Sequence, residues 1–240
     1  MIRTIYPHIE QNIERALGLI EELEELADEV VVAGGAAIGL LITDPANPTV
    51  RPTQDFDVIV KVINRVDFYN LQSRLNEKGF HKSMEDDGGF VGRFVKGHML
   101  LDIMPTDESI FGSTNQWYVG AFNNADEIAI EGITFKLISA PYFLGTKLEA
   151  FYGRGEGDYS ASYDMEDIIL LIDGRPEIVG EIETADNEIK EYLVNEFKRL
   201  VEDSDFQDSI SGHLFPDEAS QSRQPIIITR LGEIVGISIA

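Results

Sequence analysis

The run Val30-Val31-Val32-Ala33-Gly34-Gly35 constrains this chain more than any other stretch. Consecutive small and β-branched apolar residues suit a strand buried on both faces. Two glycines end that run, and Ala36 to Ile42 can continue as helix. A glycine pair between a strand and a helix also lets backbone N–H groups approach an anion such as phosphate with no Cβ in the way.

Flanking periodicity extends this unit. Ile9, Ile13, Leu17, Ile20, Leu23 and Leu26 recur at steps of three and four, predicting an amphipathic helix over 5–28 with Glu10, Glu14, Glu21, Glu24 and Glu25 on its wet face. Pro45, Pro48 and Pro52 make 43–52 a loop. Phe56–Val62 reads as a strand. Val66–Lys78 reads as a helix capped by Asp67 and stopped by Gly79. Three further strands are expected at Phe80–Met84, Phe90–Val95 and His98–Met104. Their turns fall at Asp86–Gly89 and at Lys96-Gly97. Residues 105–131 read as irregular and Ile133–Ile138 as another strand, so the sheet is mixed.

Beyond Pro141 the pattern turns helical: Tyr142–Tyr152, then a loop with Gly153, Gly155 and Gly157, then Asp164–Leu171 and Asp186–Val201. The segment 202–223 reads as loose. Ile226–Thr229 and Ile234–Ile239, split by Gly232, read as a terminal hairpin. The expected division is an α/β domain over 1–139 and a mainly helical one over 140–240.

The chemistry concentrates around the second strand. Asp55 and Asp57 are two apart, so both carboxylates face one side while Phe56, Val58 and Val60 take the other. Two acids so close repel unless a cation lies between them, and an oxygen-only pair suits Mg²⁺, which keeps waters and binds substrate phosphates. Asp102 is a lone acid within Leu100-Leu101-Asp102-Ile103-Met104 and wants a metal or a donor if buried. If its strand lies beside that of Asp55 and Asp57, three carboxylates converge as a two-metal site would require.

A Gly-Gly turn, a strand Asp-x-Asp and a later strand Asp resemble the DNA polymerase beta nucleotidyltransferase superfamily. Ala140-Pro141-Tyr142-Phe143-Leu144-Gly145-Thr146-Lys147-Leu148-Glu149-Ala150 is similar to the helix after the catalytic sheet in the AbiEii/AbiGii-type group. So are Gly153-Arg154-Gly155 and Asp164-Met165-Glu166-Asp167-Ile168. The resemblance covers about residues 30–175. It implies an α+β fold, a mixed-sheet nucleotidyltransferase domain followed by a helical C-terminal part.

It further implies Mg²⁺-dependent transfer of a nucleoside monophosphate from an NTP to an acceptor hydroxyl on an RNA end, a protein side chain or a small molecule. Asp55 and Asp57 would be metal ligands, and Asp102 the third acid, as ligand or general base. Gly34 and Gly35 would hold the β- and γ-phosphates. Lys147 would neutralise the triphosphate, and Asp164 and Asp167 would belong to the nucleotide site, with Asp167 orienting Lys147 or the nucleotide. Asp164 and Asp167 equally suit a helix N-terminus by charge alone. The group includes toxins of toxin–antitoxin systems, which have a cognate protein partner. It also leaves room for a catalytically silent nucleotide- or partner-binding module. Two departures from the pattern stand out: nineteen residues separate Gly35 from Asp55, and Ala36 follows the glycines where Ser or Thr is common.

Charge and composition set the remaining limits. A formal net charge of −24 argues against an extended nucleic-acid surface, whose affinity rests on Lys and Arg. Residues 51–96 are the exception, with eight Lys/Arg against seven Asp/Glu. No cysteine is present, which excludes disulfides and thiolate ligands. No apolar run reaches the roughly 18 residues of a membrane span, and the N-terminus lacks a signal-peptide pattern, so a cytoplasmic location is expected.

Overall fold

The computed structural model describes residues 7–46, 53, 55–83, 92–154 and 157–237. The Pro48 and Pro52 part of the first loop, the Asp86–Gly89 turn and Gly155 lie outside them. By its contacts the chain forms two units, Met1–Leu40 with Thr49–Ser139, and Leu41–Pro48 with Ala140–Ala240.

The first unit is built on a mixed seven-stranded sheet. Its elements are α1 (Pro7–Leu23), β1 (Val30–Ala33), α2 (Gly34–Leu41), β2 (Asp55–Val60), α3 (Arg65–Glu77), β3 (His81–Lys82), β4 (Arg93–Lys96), β5 (Met99–Pro105), α4 (Tyr118–Asn123), β6 (Asp126–Ile130) and β7 (Ile133–Leu137). The order across the sheet is β3-β4-β5-β2-β1-β7-β6. β2 pairs parallel to β5 and β1 parallel to β7, while the other neighbours are antiparallel. β1 is buried along its whole length, as its unbroken apolar run requires. The stripe Phe68, Leu71, Leu75 turns one side of α3 into the core.

Local chemistry differs from the sequence expectation at several points. α1 ends at Leu23, and Glu24–Glu29 tightens into a 3₁₀ turn. The cap of α3 is Asn64, whose extended backbone lets its side chain accept from the Asp67 N–H at 3.0 Å. Asp67 reaches back instead to the Ile63 N–H. The segment expected to be irregular contains α4 and the exposed edge strand β6, which turns through Glu131-Gly132, both at positive φ, into β7. Trp117 is buried there.

The second unit is helical: α5 (Ala140–Arg154), α6 (Tyr163–Gly174), α7 (Ile178–Thr184), α8 (Asn187–Glu202), α9 (Ser204–Ser209), α10 (Glu218–Gln221) and α11 (Gln224–Val235). Residues 41–44 are tied to it because the Thr43 and Asp44 N–H groups donate to the Gly174 carbonyl, an end of α6 that would otherwise lack partners. The segment 202–223 is largely helical rather than loose.

The terminal hairpin is corrected to a helix over Gln224–Val235, with Ser238 and Ile239 outside the described residues. Isoleucine-rich composition favours strand, but Ile227, Leu231 and Ile234 are buried at steps of four and three, the helical period. Pro225 stands in the first turn, and Gly236 closes the helix in the left-handed region at φ 72°. Burial of that stripe outweighs β-propensity. Among the described residues no helix is long and apolar enough to cross a membrane.

Candidate functional site

Strand register assembles the acidic edge. Ala33 of β1 lies opposite Asp57 of β2, Asp57 opposite Asp102 of β5, and Asp102 opposite Arg93 of β4. Alternation along each strand then places Asp57, Asp102 and Arg93 on one face, with Asp55 two residues along on that same face. Phe56 and Leu101, on the opposite face, are buried. Three candidate acids from two separate segments thus become neighbours through the parallel β2–β5 pairing.

Arg93 completes the cluster. Its Nε donates to Asp102 Oδ1 at 2.7 Å, and its Nη2 donates to Asp102 Oδ2 at 2.6 Å and to Asp55 Oδ2 at 3.0 Å. The first two bonds form the forked, charge-assisted pair that a planar guanidinium makes with a carboxylate. Together the hydrogen bonds to Asp102 outweigh the cost of burial and raise the guanidinium pKa further above its ordinary value. The side chain of Asp102 is 6% exposed, that of Arg93 29% and that of Asp55 41%. One end of the cluster is therefore sealed and the other open. Thr53 supports the open end, its hydroxyl lying 3.1 Å from both Asp55 Oδ1 and the Asp55 carbonyl oxygen. The Thr53 carbonyl is itself held by Arg15 Nη1 at 2.6 Å.

Gly34 sets the other wall. It stands at φ +58°, and a Cβ built there would fall 1.7 Å from Asp57 Oδ2. The glycine is needed both for backbone conformation and because the Asp57 carboxylate occupies the space a side chain would fill. Gly35 follows within the first turn of α2.

Among the described residues no three carboxylate or imidazole groups stand ready around one point for a metal ion. Between Asp55 and Asp102 that place is filled by the Arg93 guanidinium. The donor set nevertheless fits Mg²⁺. Two hard carboxylate oxygens already surround one cationic nitrogen, and Mg²⁺ is commonly held by one or two carboxylates with waters and phosphates completing its shell. A recess of about 380 Å³ is lined by Glu14, Arg15, Gly18, Phe56, His98, Met99 and Leu100, with Phe56 and Met99 on the face opposite the carboxylates. Phe56 and Leu100 are the chain neighbour and the register partner of Asp55.

The remaining candidates lie in the helical unit. Lys147 of α5 pairs with Asp164 at 3.1 Å and with Asp167 at 2.6 Å, both on α6. All three are buried, their side chains 10%, 6% and 1% exposed. Ser162 caps α6 by accepting from the Met165 N–H. Asp164 lies in the first turn of α6, where the helix dipole also favours it.

Sequence reasoning assigned no role to Arg93 or Thr53. Arg93 was within reach of it. The β4–β5 hairpin turns on Gly97-His98, with Gly97 at φ +60°, and this register puts Arg93 opposite Asp102. A turn at Lys96-Gly97 would instead set Arg93 opposite Leu100.

No protein-family model matches the sequence, and no curated protein does. The fold is similar to the crystal structure of an antigenic nucleotidyltransferase-like protein from Paracoccidioides brasiliensis. The two share 22% identity over 85% of this chain and 93% of that one, with a TM-score of 0.50. The mixed sheet and helical C-terminal part are consistent with a nucleotidyltransferase-like fold.

Proposed function

We propose that this chain is a nucleotidyltransferase that moves a nucleoside monophosphate from an NTP onto an acceptor hydroxyl and releases pyrophosphate. The observation that carries this reading is the row Ala33–Asp57–Asp102, which brings Asp55, Asp57 and Asp102 to one face beside the Gly34 turn. The fold likeness supports it.

In this reading Asp55, Asp57 and Asp102 would hold Mg²⁺, and Mg²⁺ when bound would supply positive charge to the phosphates and the attacking oxygen. The backbone of Gly34 and Gly35, opening α2, meets the terminal phosphates, where N–H groups and the helix dipole favour anions. The acceptor oxygen forms a bond to the α-phosphorus while the bond from that phosphorus to the bridging oxygen breaks, and pyrophosphate departs with that oxygen. The hydroxyl proton passes to a carboxylate of the edge or to water. The protein's share is orientation and fixed charge rather than covalent work.

The test is NTP consumption with Mg²⁺ across a panel of acceptors, comparing wild type with Asp57→Ala and Asp55→Ala. A loss of about a hundredfold or more is expected for both variants, the scale at which removing electrostatic stabilisation acts. Wild-type turnover in both would overturn the reading. A second reading, a nucleotide-binding module without turnover, is favoured by one observation, the Arg93 guanidinium between Asp55 and Asp102. Calorimetric NTP binding with no turnover in the wild type would select it.

A further inference from the structure

We propose that Arg93 is the exchangeable counter-ion of the acidic edge, and that a divalent cation takes its place between Asp55 and Asp102 only as nucleotide phosphates draw the guanidinium away. The proposal rests on the nucleotidyltransferase reading and adds to it an order of events.

The oxygens matter first. Asp55 Oδ2 and Asp102 Oδ2 both accept from the single atom Nη2 of Arg93, and Asp102 Oδ1 accepts from Nε. These are the lone pairs a cation between the two carboxylates would use. A guanidinium and a divalent ion cannot share them, because both are positive and the space is one cation wide. Without a metal, Arg93 answers the repulsion among three neighbouring carboxylates. Counted as three carboxylates, Asp55, Asp57 and Asp102 sum formally to −2 with Arg93 in place and to −1 with a divalent ion in its stead, so the exchange brings the cluster nearer to neutrality.

Exchange is physically open here. Arg93 is on β4, near one edge of the sheet, and its side chain and that of Asp55 are partly exposed. The guanidinium can therefore turn outward without unpacking the core. Its natural second partner is a phosphate, which offers the same paired oxygens as a carboxylate. An arriving triphosphate would supply that partner and further metal ligands together. Cation and nucleotide would then each strengthen the other's binding, as linkage requires.

The experiment is a Mn²⁺ titration followed by the paramagnetic resonance signal of the free ion. It uses the full chain as wild type, Arg93→Gln and Arg93→Lys, each without nucleotide and with α,β-methylene ATP or GTP. Without nucleotide, Arg93→Gln should bind Mn²⁺ about tenfold more tightly than wild type, with Arg93→Lys between them. The nucleotide analogue should tighten Mn²⁺ binding by about tenfold or more in wild type and much less in Arg93→Gln. The melting temperature of Arg93→Gln should also rise with Mg²⁺, while that of wild type stays nearly constant. Equal Mn²⁺ affinity in all three proteins, with NTP consumption intact in wild type, would make Arg93 a fixed strut and overturn this proposal alone. Failure of Arg93→Gln and wild type to bind Mn²⁺ even with nucleotide would overturn the metal reading together with it.

Discussion

Arg93 in the sheet and Lys147 in the helical unit make the same arrangement, one cation between two carboxylates, in opposite surroundings. Around Lys147 all three groups are buried, whereas around Arg93 only Asp102 is. A buried pair is held by the cost of leaving any member alone. A half-open pair is bound less tightly and can change partners. Arg223, in the helical unit, is a close relative of the buried case. It donates to Asp173 from Nε at 2.9 Å and to Asp44 from Nη2 at 2.6 Å, and helps fasten the 41–44 segment.

Removing Lys147 should give the largest effect on stability. Lys147→Met leaves Asp164 and Asp167 buried without their cation and should cost about 3–5 kcal/mol by urea denaturation, with or without Mg²⁺. Unchanged stability with lost nucleotide binding would instead make Lys147 a nucleotide ligand, as the family resemblance implies. Gly34→Ala strikes the open edge from its other wall, because the added Cβ collides with Asp57. It should cost about 1–3 kcal/mol and reduce NTP turnover by more than that loss of folding explains. Arg93→Met should cost only about 1–2 kcal/mol, since water reaches the cluster, and Mg²⁺ should restore part of it.

The smallest effect is a pH dependence. Burial alone would raise the Asp44 pKa, but hydrogen bonds from Arg223 and the Ala46 N–H, with the charges of Arg223 and Arg230, bring it below its ordinary range. A lowered folded-state pKa gives stability that is present above the ordinary carboxylate pKa and lost as pH falls through the folded value. Asp44→Asn should therefore be less stable than wild type by about 1 kcal/mol or less at pH 7. Urea midpoints of the two proteins should converge as pH falls through the lowered folded-state value. A gap that persists there would assign the stabilisation to shape rather than charge.

Much of the first unit was legible because its signals are local. The apolar run at Val30–Ala33, the glycines after it and the alternation around Asp55 and Asp57 each mark an element within a few residues. The helices Ala140–Arg154, Tyr163–Gly174 and Asn187–Glu202 followed from their periodicity for the same reason, whereas the short helix Ile178–Thr184 was not expected. Where propensity and burial disagreed, as at Ile226–Thr229, propensity misled, although Pro225 and Gly236 were end signals already present in the chain.

The sequence by itself determined which residue types could do chemistry here and on which side of a strand Asp55 and Asp57 stand, since alternation along one strand is a property of the backbone. Only the tertiary structure decided what they stand beside. The parallel β2–β5 register brings Asp102 against Asp57, and the choice of hairpin turn brings Arg93 against Asp102. Contacts between strands distant in sequence depend on how the whole sheet buries its apolar face. A turn displaced by one residue would have left Arg93 beside Leu100, with the acids to find another cation.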